Sequence, residues 1–80
     1  MKFIGAEYCG KCRVVKRVLS ELDHTVEILD INLSPKQVGL AGIKGVPALL
    51  LGDGSIVTGM EEIIFLLKQT YPKHIFKNKD

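Results

Sequence analysis

Eighty residues with 46% apolar content and a net charge of +2 describe one small globular domain, spanning 1–80, and exclude both a second domain and a disordered chain. The weakly basic balance is spread along the chain and gathers only at Lys73, His74, Lys77 and Lys79, which reads as a solvated, frayed tail over 73–80 rather than a nucleic-acid surface. No apolar run approaches membrane-spanning length, and Met1-Lys2 is followed by only two apolar residues before Gly5, too few for a signal-peptide core, so the expected compartment is the cytoplasm, without a membrane partner.

In chain order, Lys2 to Ala6 is a short apolar run ended by small residues, which predicts a buried strand. The helix after it is marked by Cys12, Val15, Val18, Leu19 and Leu22 at three- and four-residue steps, with Arg13, Lys16, Arg17 and Glu21 on the other face. Thr25 to Ile31 is β-branched and apolar, with Val26 and Ile28 in alternation, and predicts a second strand. The helix and turn between the two strands are long enough for a crossover, hence for parallel pairing. Ser34-Pro35-Lys36-Gln37 offers a capping serine, a first-turn proline and a glutamine at the capping-box position, opening a short helix that stops near Gly39 to Gly42.

Gly45-Val46-Pro47 leads into the most apolar strand, Ala48 to Leu51, and Gly52-Asp53-Gly54 is a hairpin turn into Ser55 to Thr58. The last helix is expected to use Thr58 as its cap, with Glu61 three residues on. It should bury Met60, Ile63, Ile64, Leu67 and Tyr71, and end at Pro72. The order β-α-β-α-β-β-α predicts an α/β domain: a four-stranded mixed sheet with helices against both faces. No internal repeat, linker or low-complexity segment interrupts it.

The only two cysteines are Cys9 and Cys12, in Cys9-Gly10-Lys11-Cys12, where the first strand gives way to the first helix. Cys12 falls on the core-facing stripe, whereas Cys9 sits just ahead of the first turn, where free amides point outward, so the two thiols should differ in exposure and acidity. A bridge between them closes only a four-residue loop, which makes stapling a poor explanation for the pair. In a reducing compartment a C-x-x-C pair is more often catalytic or metal-binding than structural. Zinc needs two further ligands, and apart from carboxylates only the widely separated His24 and His74 are available, so ligand count favours redox chemistry.

These residues carry a resemblance to a family. Phe3-Ile4-Gly5-Ala6-Glu7-Tyr8-Cys9-Gly10-Lys11-Cys12 resembles the active-site segment of the thioredoxin and glutaredoxin family, in its smallest form. Gly42-Ile43-Lys44-Gly45-Val46-Pro47-Ala48-Leu49-Leu50-Leu51 is similar to that family's approach to its cis-proline strand, and Thr58-Gly59-Met60-Glu61-Glu62 resembles the glutaredoxin turn of glycines followed by acids. The resemblance implies a thioredoxin-like fold and a small protein-disulfide reductase with no bound cofactor beyond a redox-active Cys9–Cys12 disulfide. Cys9 attacks a client disulfide and Cys12 resolves the mixed disulfide. A free thiol titrates near ~8.5, and a helix N-terminus with Lys11 nearby should lower that value for Cys9.

The resemblance further implies a cis Val46-Pro47 bond beside the dithiol, with the Val46 backbone pairing an extended client strand, and a Gly59 backbone lining the groove. Each of these residues also has a plainer reading. Pro47 can simply begin a strand, Gly59 can simply make a turn, Tyr8 can be a core aromatic rather than a contact beside Cys9, and Lys11 can be an ordinary solvated lysine. Gly10 is carried over with the motif as part of the client-facing loop.

Two departures bear on mechanism. Thioredoxins carry a buried aspartate six residues before the first cysteine, and Phe3 stands there, so the proton of Cys12 must leave through water or another group. Glutaredoxins usually carry a basic residue two positions before the first cysteine, where it meets a glutathione carboxylate, and Glu7 stands there. The expected partners are therefore disulfide-containing client proteins and an electron donor, with a reductase protein ahead of glutathione. The chain is expected to act as a monomer and to bind no nucleic acid. A C-x-x-C holding zinc or a cluster shared between two chains is the remaining alternative.

Overall fold

The computed structural model describes residues 1–73. The expected tail residues His74, Lys77 and Lys79 lie outside them.

Strand β1 (Lys2–Gly5) is followed by α1 (Gly10–Ser20), β2 (Glu27–Asp30), α2 (Pro35–Leu40), β3 (Ala48–Leu50), β4 (Ile56–Thr58) and α3 (Met60–Thr70). The strands form one mixed sheet in the order β2-β1-β3-β4. As expected for a helical crossover, β1 and β2 run parallel, with Phe3 opposite Ile28 and Ile4 opposite Leu29. β3 runs antiparallel to β1, and β4 returns antiparallel to β3. The α/β class and element order are those expected.

Side chains alternate across the pleat of β1, and this divides the core in two. Phe3 and its register partner Leu49 join Cys12, Val15, Leu19, Ile63 and Leu67 on one face, under α1 and α3. Ile4 and its partner Ala48 join Val38 and Ile43 on the other face, under α2. Helices therefore cover both faces. β1, being central and buried on both sides, reads as a continuous apolar run.

Three local expectations are corrected. Thr58 does not cap α3: Gly59 occupies that position, with φ +96° and no side-chain capping bond. The helix is launched by a backbone conformation open to glycine, with Glu61 and Glu62 in its first turn against the positive end of the dipole. Ser34 occupies the cap of α2, yet its hydroxyl makes no capping bond, so Pro35 in the first turn carries that start. Finally, β2 is shorter than the expected run from Thr25 to Ile31; Val26, just ahead of it, is buried, whereas Ile28 within it is 45% exposed on an edge strand of the sheet.

The end of α3 is fastened to the α1–β2 loop. The Asp23 N–H donates to the Pro72 carbonyl at 2.8 Å, and the His24 and Tyr71 rings meet edge-on. At the opposite hairpin, the Asp53 carboxylate accepts from the Ser55 amide and hydroxyl, and Gly54 supplies the positive φ of +92°. Those two hydrogen bonds hold the exposed Asp53 carboxyl below its ordinary value of 3.8, with the hydroxyl bond the larger cause.

Candidate dithiol site

β1 delivers the chain to the N-terminus of α1 through a tight turn in which the Cys9 amide donates to the Ala6 carbonyl at 3.2 Å. Cys9 is the N-cap of α1, in extended conformation, and its Sγ accepts the Cys12 amide at 3.1 Å. The sulfur thus does what a serine or aspartate oxygen does at a helix start, satisfying one of the first unpaired amides. No acidic residue sits in the first turn of α1, so the positive end of the dipole there is not offset by the helix itself.

One turn on, Cys12 is fully buried on the face that carries Val15 and Leu19, and it joins Cys9 in a disulfide with the two Cα atoms 5.2 Å apart. Cys9 is only partly buried. The expected contrast in exposure is present, produced by position in the first helical turn.

Around the pair, the exposed residues are Glu7, Tyr8, Gly10 and Lys11, Tyr8 with 73% of its surface free. The core-aromatic reading of Tyr8 is thereby excluded. Lys11 faces the start of α3, and the two enclose a cleft of about 430 Å³ lined by Lys11, Gly59, Met60, Glu61 and Glu62. The structure therefore brings Lys11 and Gly59, 48 residues apart in sequence, into one groove.

Pro47 is buried, the Val46-Pro47 bond is cis, and Val46 packs, like Cys9, against the core cluster that contains Cys12. A second cleft, about 290 Å³, lies on the far face between α2 and the sheet, lined mainly by apolar residues including Leu29, Val38 and Ile43, and away from the cysteines.

Phe3 packs in the same cluster as Cys12, so the side chain that stands six residues before Cys9 lies near the inner sulfur and is apolar. Among the described residues no polar or charged side chain is buried, and the buried side chains clustered with Cys12 are all apolar. Among them, too, no three His, Cys, Asp or Glu side chains gather as metal ligands; the His24 Nδ1 accepts the Val26 amide at 2.9 Å. No helix among the described residues is long and apolar enough to cross a membrane.

Gly5 escaped the sequence reading as a site residue. It ends β1 directly beneath Cys12, and the only signal for it was a small residue closing an apolar strand just before the cysteines.

No protein-family description, curated protein or solved structure matches this chain.

Proposed function

We propose that the chain is a small thiol-disulfide oxidoreductase of thioredoxin-like fold that reduces disulfides in client proteins. The observation that carries this reading is the asymmetry of the pair: Cys9 is partly exposed and receives an amide at a helix N-terminus, whereas Cys12 is sealed in the core one turn away. In the reduced protein the amide and the helix dipole favour the Cys9 thiolate, and apolar burial keeps Cys12 protonated.

The Cys9 thiolate attacks one sulfur of the client disulfide, forming a mixed disulfide and releasing the other client sulfur as thiolate. Cys12 then loses its proton to water and attacks the Cys9 sulfur. The Cys9–Cys12 bond forms and the second client thiolate leaves, so the client gains two electrons and the dithiol loses them. A reductase protein returns the electrons. Tyr8, Gly10, Lys11, Val46, Pro47 and Gly59 form the client-facing rim in this reading, and the reaction belongs in a reducing compartment such as the cytoplasm.

The test is turnover of a protein disulfide by the wild type and two variants. Cys12→Ser should accumulate a mixed disulfide visible by mass spectrometry, and Cys9→Ser should be inactive. Attack by Cys12 in the absence of Cys9 would overturn the assignment. A second donor, glutathione, is favoured by one feature, the cleft between Lys11 and the acids opening α3. Glu7 on the exposed rim opposes it. Rates with glutathione and its reductase, set against rates with a thioredoxin reductase, rank the two donors.

A further inference from the structure

Gly5 is buried, and its φ is not among the positive ones, so backbone freedom is not what places glycine there. Space is. A Cβ at this position would lie 3.1 Å from Cε2 of Phe3, 3.2 Å from Cβ of Cys12 and 3.4 Å from Cys12 Sγ. Carbon atoms in comfortable contact stand roughly 3.5–4.0 Å apart, so at least one neighbour would have to yield. The Phe3 ring is fully buried among Val15, Leu49, Ile63 and Leu67 and has little room to retreat. Cys12 Cβ is fixed to the helix backbone and no side-chain rotation moves it. The strain of any added side chain therefore falls on the seat of Cys12.

We propose that Gly5 is a positioning residue for Cys12: the absence of a side chain lets the inner sulfur settle against β1, where it meets Cys9. Cys9 itself is not among the three nearest atoms to the missing Cβ, and its turn is held by the Ala6 carbonyl. A methyl at Gly5 thus burdens closure of the dithiol and leaves the first attack alone. This rests on the reading of Cys9 as attacker and Cys12 as resolver.

The two steps separate with one equivalent of the aromatic disulfide 5,5′-dithiobis(2-nitrobenzoate) added to reduced protein. Cys9 attacks it, forming a mixed disulfide and releasing one coloured thiolate. Cys12 then gives its proton to water and displaces the second from the Cys9 sulfur. In Gly5→Ala the first release should stay within about twofold of wild type and the second should slow roughly three- to tenfold, the scale set by sub-ångström misplacement of a reacting atom. The equilibrium with reduced and oxidised glutathione should shift toward the dithiol by a similar factor, because the freed sulfur can turn away from the methyl.

Gly39→Ala adds the same methyl in α2 with nothing within 4 Å and should change neither step. Unchanged steps in Gly5→Ala, or both slowed alike, overturn the proposal. If Gly5→Ala does not fold, the pair Gly5→Ala with Phe3→Leu removes the ring atom nearest the methyl; there, too, a second step as fast as in Phe3→Leu alone overturns it. A wild type that releases no thiolate would instead remove the dithiol reading itself.

Discussion

Cys12 has Phe3, Val15, Leu49 and Ile63 in its cluster, and none of these can accept its proton. The proton must reach water, so the proposed two-step exchange should have two pH profiles. The first step should persist to the lower pH, because the helix N-terminus favours the Cys9 thiolate. The second should fall away sooner as pH drops, since burial disfavours the Cys12 thiolate. Stopped-flow traces of the two thiolate releases across pH read both, and coincident profiles would contradict the asymmetry. Asp53 gives a second residue-scale prediction. Its carboxyl is held below its ordinary value of 3.8 by the Ser55 hydroxyl and amide. A depressed folded-state value means that its contribution is fully present above the unfolded value and is lost as pH falls through the folded one. Ser55→Ala should therefore move the Asp53 titration in carboxylate NMR upward toward 3.8, and leave stability at neutral pH little changed because the pair is exposed.

The start of α1 makes a prediction at the scale of an element. Since Cys9 Sγ accepts the Cys12 amide, the residue at this cap has a structural duty independent of chemistry. Cys9→Ser and Cys9→Ala both lose the disulfide, but serine keeps an acceptor and alanine does not. The serine variant should be the more stable by roughly 0.5–2 kcal/mol in urea unfolding, and equal stabilities would show that the sulfur does not cap. The start of α3 differs. Gly59 there has φ +96°, and Gly59→Ala should cost about 1–3 kcal/mol in the same assay. This contrast also shows what the sequence could convey. Apolar periodicity exposed α1 with Cys12, Val15 and Leu19 inward, because helix burial repeats along the chain itself. It could not tell Thr58 from Gly59 as the cap, because both are plausible there and only the backbone angle decides. Ile28 was misleading for a different reason: alternation marks a strand but does not say whether that strand lies at the edge of the sheet, where a side chain stays exposed. Gly5 was illegible because its importance is a distance to Cys12 across the strand–helix contact, and the cleft joining Lys11 to Gly59 is likewise a product of tertiary packing.

On the scale of the whole molecule, the proposed cycle requires a scaffold that stands with the bridge open as well as closed. The bridge spans three positions, and closing so short a loop removes only about 2 kcal/mol of chain entropy from the unfolded state. Against this stands a core on both faces of β1. Phe3, Leu19, Leu49, Ile63 and Leu67 are fully or almost fully buried on one side, and Ile4 and Ala48 on the other. A single truncation such as Leu67→Ala typically costs about 2–5 kcal/mol, as much as the whole bridge or more. Leu40 is 89% exposed on α2, and Leu40→Ala should cost no more than about 0.5 kcal/mol. The fold should thus survive reduction, and urea unfolding of the oxidised and reduced proteins should show two cooperative transitions separated by no more than about 2 kcal/mol, with matching far-ultraviolet circular dichroism beforehand. Loss of structure on reduction would make the bridge a staple. Cys9 would then have no helix N-terminus to favour its thiolate, Cys12 would have no apolar seat, and the exchange mechanism would lose both of its causes.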